Sequence, residues 1–77
     1  MKPSHAQHND FLSHKPVPGV VLGHNDSVDI IGGEHAGDSG AVISVEEIGD
    51  DPLYLIELGS GKDAIVRQSL LRLIAAD

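Results

Sequence analysis

Residues Val28 to Val45 read VDIIGGEHAGDSGAVISV, and they carry the clearest structural signal in the chain. Two runs rich in β-branched residues, Val28–Ile31 and Ala41–Val45, flank a segment with glycines at positions 32, 33, 37 and 40. β-branched side chains pack well on a pleated sheet, and glycine adopts backbone angles that other residues avoid. The stretch therefore predicts two strands joined by a wide, glycine-rich loop.

The spacing of apolar residues and glycines here resembles the KOW motif of ribosomal and transcription-elongation proteins. That motif begins with two apolar residues one position apart, continues through a glycine and a short loop ending Gly-x-x-Gly, and closes on valine. The matching positions are Val28, Ile30, Gly33, Gly37, Gly40, Val42 and Val45. The resemblance covers about 18 of the 77 residues. It implies a small SH3-like β-barrel and an RNA- or ribosome-associated role.

The loop inside this motif differs from the family in its charge. KOW loops are typically rich in lysine, whereas this loop reads Glu34, His35, Ala36, Gly37, Asp38, Ser39. Acidic side chains repel phosphates, so the loop keeps the geometry of the motif while opposing its usual ligand. We therefore expect the fold implied by the resemblance, and a binding loop directed at a protein.

Composition limits the chain to one small domain with an aliphatic core. The 77 residues include two aromatic side chains, Phe11 and Tyr54, and no cysteine. A chain of this length buries a thin core. Without cysteine, neither a disulfide nor a thiolate metal site is available.

The formal net charge of −7, from 12 acidic and 5 basic residues, bears on the partner. Nucleic-acid binding rests largely on the neutralisation of phosphates by Lys and Arg. The balance therefore disfavours nucleic acid and favours a protein partner with a basic or apolar surface. No apolar run approaches the roughly 18 residues that cross a membrane, and residues 1–10 lack the apolar core of a secretory signal. We expect no membrane contact and a cytoplasmic location.

Residues 1–18 are polar and show neither a strand nor a helix period, which predicts a flexible N-terminal arm before a barrel at residues 19–77. The apolar point of the arm is Phe11-Leu12, the pair available for docking on the barrel. The arm also holds His5, His8 and His14. We interpret these histidines as a solvated tail and predict no metal site and no cofactor.

Five short strands follow from the alternation of apolar and polar residues: Val28–Ile31, Gly40–Ile48, Leu53–Leu58, Lys62–Val66 and Leu70–Ile74. Val42 and Val45 are three positions apart, so both can face the core only across a bulge. In LYLIEL, Tyr54, Ile56 and Leu58 face inward, which leaves Leu53 and Leu55 on the outer face. A 3₁₀ turn at Arg67–Ser69 precedes the last strand. A helix over residues 66–75 is the alternative, since its leucines also fit a helical stripe.

These elements predict an all-β fold, a five-stranded SH3-like barrel with a short 3₁₀ turn before the last strand. Gly37-Asp38-Ser39-Gly40 resembles the nucleophile loop of trypsin-like proteases. Those enzymes need two barrels and an oxyanion hole, so we interpret the tetrapeptide as a turn and predict no catalytic residue.

The predicted function is that of a non-catalytic protein-interaction module, with a KOW-like RNA- or ribosome-associated factor as the alternative. A basic strip of Lys62, Arg67 and Arg72 favours RNA, and local ion pairs are the competing explanation for it. An exposed Leu53/Leu55 face favours a protein partner. The candidate binding residues are Glu34, His35, Asp38, Ser39, Leu53, Leu55, Arg67 and Arg72, with Gly33, Gly37 and Gly40 as structural loop glycines.

Overall fold

The structure is a computed structural model and describes residues 1–74. It contains a single five-stranded antiparallel sheet in the strand order β4-β3-β2-β1-β5. The strands are β1 (Ser27–Ile30), β2 (Ser39–Glu47), β3 (Leu53–Leu58), β4 (Asp63–Arg67) and β5 (Leu71–Leu73). A helix, α1 (His5–Leu12), precedes the sheet, and a 3₁₀ turn, Gln68–Leu70, separates β4 from β5.

The predicted all-β class, the five antiparallel strands and the 3₁₀ turn before the last strand are confirmed. The observed strands and the 3₁₀ turn begin and end within one residue of the predicted bounds, the usual uncertainty of element ends. The sheet is not closed by pairing between β4 and β5, which remain its two edges. The barrel itself therefore stays a prediction.

The bulge predicted in the second strand is confirmed by the register of β2 on β3. Val42 pairs with Ile56 and Val45 pairs with Tyr54, and the register shifts between Val42 and Ser44. The extra residue lets both valines face inward, and both are completely buried.

The core is mostly aliphatic, as the composition predicts, and it also contains both of the aromatic residues, Phe11 and Tyr54. Tyr54, Ile56 and Leu58 alternate inward from β3, while Leu53 and Leu55 are only half-buried. The remaining buried apolar side chains are Phe11, Val17, Leu22, Val28, Ile30, Val42, Val45, Ile48, Ala64 and Val66.

The N-terminal segment differs from the prediction of weak structure, which is wrong for His5–Leu12. Ser4 starts the helix with a capping box: its hydroxyl accepts from the Gln7 N–H at 3.1 Å, and Gln7 Oε1 accepts from the Ser4 N–H at 2.8 Å. Phe11 then enters the core, 2% exposed, with its ring centroid 6.2 Å from that of Tyr54. An eight-residue helix is marginal in water, so this tertiary contact stabilises it.

Gln68, in the 3₁₀ turn, ties the segment before β1 to the sheet. Its side-chain oxygen accepts hydrogen bonds from the Tyr54 hydroxyl and the Val21 N–H, and its amide nitrogen donates to the Gly19 carbonyl. The predicted turn at Pro18-Gly19 is present, with Gly19 at φ +78° and the Val20 N–H bonded to the Val17 carbonyl.

The alternative of a helix over residues 66–75 is wrong within residues 66–74. The Ile31 N–H donates to the Leu70 carbonyl at 2.9 Å, and the Ile74 N–H donates to the Ser27 carbonyl at 2.8 Å. These bonds place the segment beside β1 as a strand. Residue 75 lies outside the described residues.

Candidate functional site

A cleft of about 260 Å³ opens beside β4. One wall is three consecutive residues of that strand, Ile65–Arg67. The other wall is the loop between β1 and β2, through Gly32, Glu34 and His35. Apolar side chains of Ile30, Leu53 and Leu70 complete the lining.

The loop between β1 and β2 holds its position because backbone bonds close its base. The Ile30 N–H donates to the Asp38 carbonyl at 2.8 Å, and the Gly37 N–H donates to the Ile30 carbonyl at 2.9 Å. Leu70 packs directly on the loop: a Cβ on Gly32 would lie 3.0 Å from Leu70 Cδ2. Small residues here let the loop approach the 3₁₀ turn, which sets the width of the cleft.

The two walls of the cleft carry different charged groups. On the loop, His35 Nε2 lies 3.9 Å from Glu34 Oε2, and His35 Nδ1 lies 3.9 Å from Asp38 Oδ2. On the strand side, Arg67 ends β4 with its side chain exposed. An incoming chain therefore meets the Glu34 carboxylate on one side and the Arg67 guanidinium on the other.

The backbone of β4 faces the cleft with an unpaired edge. Two hydrogen bonds bracket its pairing with β3: Leu58 N–H to Lys62 carbonyl, and Gln68 N–H to Pro52 carbonyl, each 2.7 Å. Bonded and non-bonded positions alternate along an antiparallel pair. The odd-numbered residues of β4, with Ile65 at the centre, therefore direct both N–H and C=O away from β3.

Ile65, at the centre of this edge, lines the cleft with an exposed apolar side chain. It pairs with Leu55 of β3 on the outer face of the sheet and is 51% exposed. Within residues 1–74, its backbone groups have no protein partner. Apolar contact and free main-chain hydrogen-bonding groups thus occur at one place.

The structure brings four of the predicted binding residues together in this cleft: Glu34, His35, Leu53 and Arg67. Leu55 lies on the adjacent outer face, opposite Ile65. Asp38 does not line the cleft, but its Oδ2 lies 3.9 Å from His35 Nδ1. The sequence therefore identified parts of both walls without showing that they face each other.

Arg72 and Ser39 lie apart from the cleft lining. Arg72 is on β5, the opposite edge strand from β4, and its Nη2 donates to Asp29 Oδ2 at 3.2 Å. The local ion pair that competed with RNA contact as an explanation for Arg72 is therefore present. Ser39 begins β2, and no hydrogen bond joins its hydroxyl to His35 in the described part of the chain.

The loop glycines serve different purposes. Gly37 has φ +93° with open space around its Cα, so it supplies a backbone conformation. Gly40 has an ordinary φ, but a Cβ there would collide with the Glu57 carbonyl and lie 2.9 Å from Ile56 Cγ2. Gly33, at φ +80°, combines both features, because Leu70 Cδ1 lies 3.2 Å from its Cβ position.

Sequence reasoning missed Ile65 and Leu70 as lining residues. Ile65 lies in a strand that the sequence predicts, and the signal available for it is an apolar residue in phase with the charged Asp63 and Arg67. The sequence places Leu70 in the last strand, whereas it ends the 3₁₀ turn and packs on the loop. Its role depends on tertiary contacts, for which the sequence offers no signal.

Asp51 and Tyr54, both outside the cleft lining, have shifted pKa values. The Ser69 hydroxyl and backbone N–H donate to the Asp51 carboxylate at 2.7 and 2.9 Å, which lowers the pKa of Asp51 below 3.8. Burial raises the pKa of Tyr54 above 10.0. Asp51 bonds to Ser69, and Tyr54 of β3 bonds to Gln68. Both residues therefore hold the 3₁₀ turn in place beside the start of β3.

The histidines of the N-terminal segment are organised differently from a solvated tail, since His5 and His8 lie one turn apart on α1. Residues 1–74 contain no group of three side chains placed to hold a metal ion. In the same range, no helix combines the length and apolarity needed to span a bilayer. Comparison of the chain with protein-family models, curated proteins and solved structures gives no match.

Proposed function

We propose that this protein is a non-catalytic protein-interaction module that binds an extended polypeptide segment in the cleft beside β4. The observation that carries the proposal is the coincidence of an apolar cleft with an unpaired strand edge. Extended peptides bind such edges by main-chain hydrogen bonds, and pockets beside the edge select their side chains.

The size and lining of the cleft support a polypeptide over a small molecule. Its volume of about 260 Å³ is below the roughly 300–1,000 Å³ of usual small-molecule pockets. Ile65 of β4, Leu53 of β3 and Leu70 of the 3₁₀ turn supply an apolar lining beside the edge of β4, which suits the side chains of an extended segment.

The strand order and the 3₁₀ turn support the further proposal of an SH3-like barrel with an open seam. In this arrangement the seam lies between β4 and the β1–β2 loop, and the cleft occupies it. A strand added at β4 would extend the sheet at its open edge.

The KOW-like alternative retains its strand, loop and strand geometry but loses much of its electrostatic support. Lys62 immediately precedes β4 and Arg67 ends it, whereas Arg72 is on the opposite edge strand and paired with Asp29. A continuous basic strip would need all three side chains on one surface, so this distribution favours the protein-binding proposal.

The experiment is site-specific photo-crosslinking in a native extract. A photoreactive amino acid replaces Ile65 in the cleft or, as control, Leu12, which is 48% exposed on α1. We expect a protein crosslinked from position 65, absent from position 12, unchanged by nuclease and abolished when Arg67→Asp is added to the same chain. Crosslinking only to nucleic acid, or equal yields from both positions, would refute the proposal.

A further inference from the structure

We propose that the segment bound at this cleft belongs to a second copy of the chain, with the two β4 strands paired antiparallel about a two-fold axis at Ile65. The inference rests on the proposed function, because it names the partner of the same site. Its product is a symmetric dimer with one continuous sheet.

The outward-facing side chains of β4 are self-complementary in charge. Asp63, Ile65 and Arg67 share the exposed face in the order acidic, apolar, basic. A two-fold axis at the central residue places Asp63 opposite the partner's Arg67, and Arg67 opposite the partner's Asp63. It also stacks the two isoleucines, and opposite charges and apolar pairs across strands each stabilise a sheet.

The backbone supports the same register. The N–H and C=O of Ile65 point to the free edge, so Ile65 and the partner's Ile65 exchange two hydrogen bonds at the axis. In an antiparallel pair, residues directly opposite point to the same face of the sheet. Ala64 therefore lies opposite the partner's Val66, and the core-facing sides of the two strands also coincide.

Neighbouring registers fail on charge. If one β4 strand slides by two residues along the other, the two-fold axis moves by one residue. In one direction the axis passes through Ala64, and Asp63 lies opposite the partner's Ile65. In the other direction it passes through Val66, and Arg67 lies opposite the partner's Ile65. Shifts of four pair Asp63 or Arg67 with its own copy, which brings like charges together. A one-residue shift would turn a whole strand to the wrong face. Only the register centred on Ile65 satisfies both charges.

The overall charge of −7 opposes association at long range. At physiological ionic strength this repulsion is screened over about 8 Å, whereas the two ion pairs act in contact across the new strand pair. β4 has five residues, so the buried area is small and the dimer is weak. We expect reversible association that depends on protein concentration.

The test is sedimentation equilibrium of the full chain from about 10 µM to about 1 mM, the range in which small interfaces associate. We expect the wild type to move from monomer toward dimer. Arg67→Asp places a carboxylate at position 67 against the partner's Asp63, twice in each dimer, and should weaken the dimer about tenfold. Arg72→Asp changes the net charge by the same two units on the other edge strand, and should leave the dimer unchanged.

Charge exchange keeps the test specific. Asp63→Arg alone should also weaken the dimer, and Asp63→Arg with Arg67→Asp should restore it, because the symmetric complementarity returns. The amide of Ile65 should exchange its hydrogen more slowly as wild-type concentration rises. Circular dichroism confirms that each variant folds.

Three results would overturn this inference: a wild type that stays monomeric throughout, a dimer sensitive to Arg72→Asp but not to Arg67→Asp, or no rescue by the charge exchange. The proposed function has a separate readout. A monomeric wild type that is crosslinked from position 65 to a different protein would refute the dimer and retain the interaction module.

Discussion

Gly37 and Gly40 show how two residues of one type are required for different physical reasons. Both were predicted from sequence as structural loop glycines, because glycine recurs where a turn joins two β-branched runs. The sequence did not reveal which feature each supplies. That distinction arises from the pairing of β2 with β3, which brings the Glu57 carbonyl against Gly40.

We predict that Gly40→Ala is more destabilising than Gly37→Ala. At Gly37 the new methyl group has open space and adds only the strain of a positive φ, about 1 kcal/mol. At Gly40 it meets backbone, which can yield only if β2 and β3 separate, and the expected loss is about 3 kcal/mol. Urea denaturation of the two variants measures the difference. Equal losses, or a larger loss at Gly37, would contradict the close approach.

Gly37→Asn provides a control for the conformational argument. Asparagine tolerates the left-handed region better than valine, so Gly37→Asn should be milder than Gly37→Val. Gly40→Asn and Gly40→Val should both be strongly destabilising, because any Cβ at this position meets the Glu57 carbonyl.

Asp51 predicts a specific acid sensitivity. Its pKa is lowered in the folded state by the Ser69 hydrogen bonds, so its carboxylate stabilises the fold above the ordinary pKa of 3.8. This contribution is complete above about pH 5, declines as the pH falls below that value, and is gone below the lowered native pKa. Asp51→Asn should therefore be destabilising at neutral pH and should flatten the pH dependence of unfolding below about pH 5.

Asp50→Asn is the matched control, because no hydrogen bond to the Asp50 carboxylate is present in residues 1–74. It should leave both the stability at neutral pH and the acid profile close to those of the wild type. Thermal unfolding of the two variants across the pH range measures the contrast. Identical acid profiles for Asp51→Asn and the wild type would refute the role of the Ser69 contacts.

At the level of elements, α1 is the part that the sequence predicts least well. Its capping box, Ser4 to Gln7, is visible in the sequence, but the helix has no apolar stripe for a period analysis to detect. Phe11 supplies its one buried contact. A helix held by a cap and a single core residue cannot be distinguished from a polar tail by periodicity.

We predict that Phe11→Ala removes most of the stabilisation of this helix. Its side chain is 2% exposed against Tyr54, and emptying such a site costs about 3 kcal/mol or more. That is a large part of the few kcal/mol available to a domain of this size. Leu12→Ala, at a position 48% exposed, should cost less than about 0.5 kcal/mol. Chemical denaturation with circular dichroism measures both, and similar losses would refute the docking of Phe11.

The strands were more predictable than the helix because their signals are local. A three-residue spacing of Val42 and Val45 on one buried strand requires an extra residue, so the bulge follows from the sequence. The segment after β4 was ambiguous, since Leu70, Leu71, Leu73 and Ile74 fit either a helix or a strand. Pairing with β1 resolves it, and that contact joins segments far apart in the chain.

At the scale of the whole molecule, the five predicted strands are all present and form one antiparallel sheet, but the cleft could not be predicted. The cleft requires β4 to remain an edge and the β1–β2 loop to settle on Leu70. Both conditions depend on tertiary contacts between segments that are far apart in the chain. Glu34, His35, Leu53 and Arg67 could be predicted as binding residues because each has a local sequence signal. Their position around one cleft could not be predicted.

From the charge of the molecule we predict no measurable binding to generic single- or double-stranded RNA at about 150 mM salt. Each cation that contacts a phosphate contributes through counterion release. Here Arg72 is already paired with Asp29, Arg67 faces the acidic wall formed by Glu34, and the whole chain carries −7. Neither Phe11 nor Tyr54 is available for base stacking, because both side chains are buried.

Fluorescence anisotropy with labelled RNA at neutral pH measures this directly. Any residual affinity should be weak, strongly reduced by salt and independent of RNA sequence. Tight binding at neutral pH that is lost in Arg67→Ala or Arg72→Ala would refute the protein-interaction proposal. Such a result would restore the KOW-like function, because the basic residues would then be acting on phosphate despite their acidic neighbours.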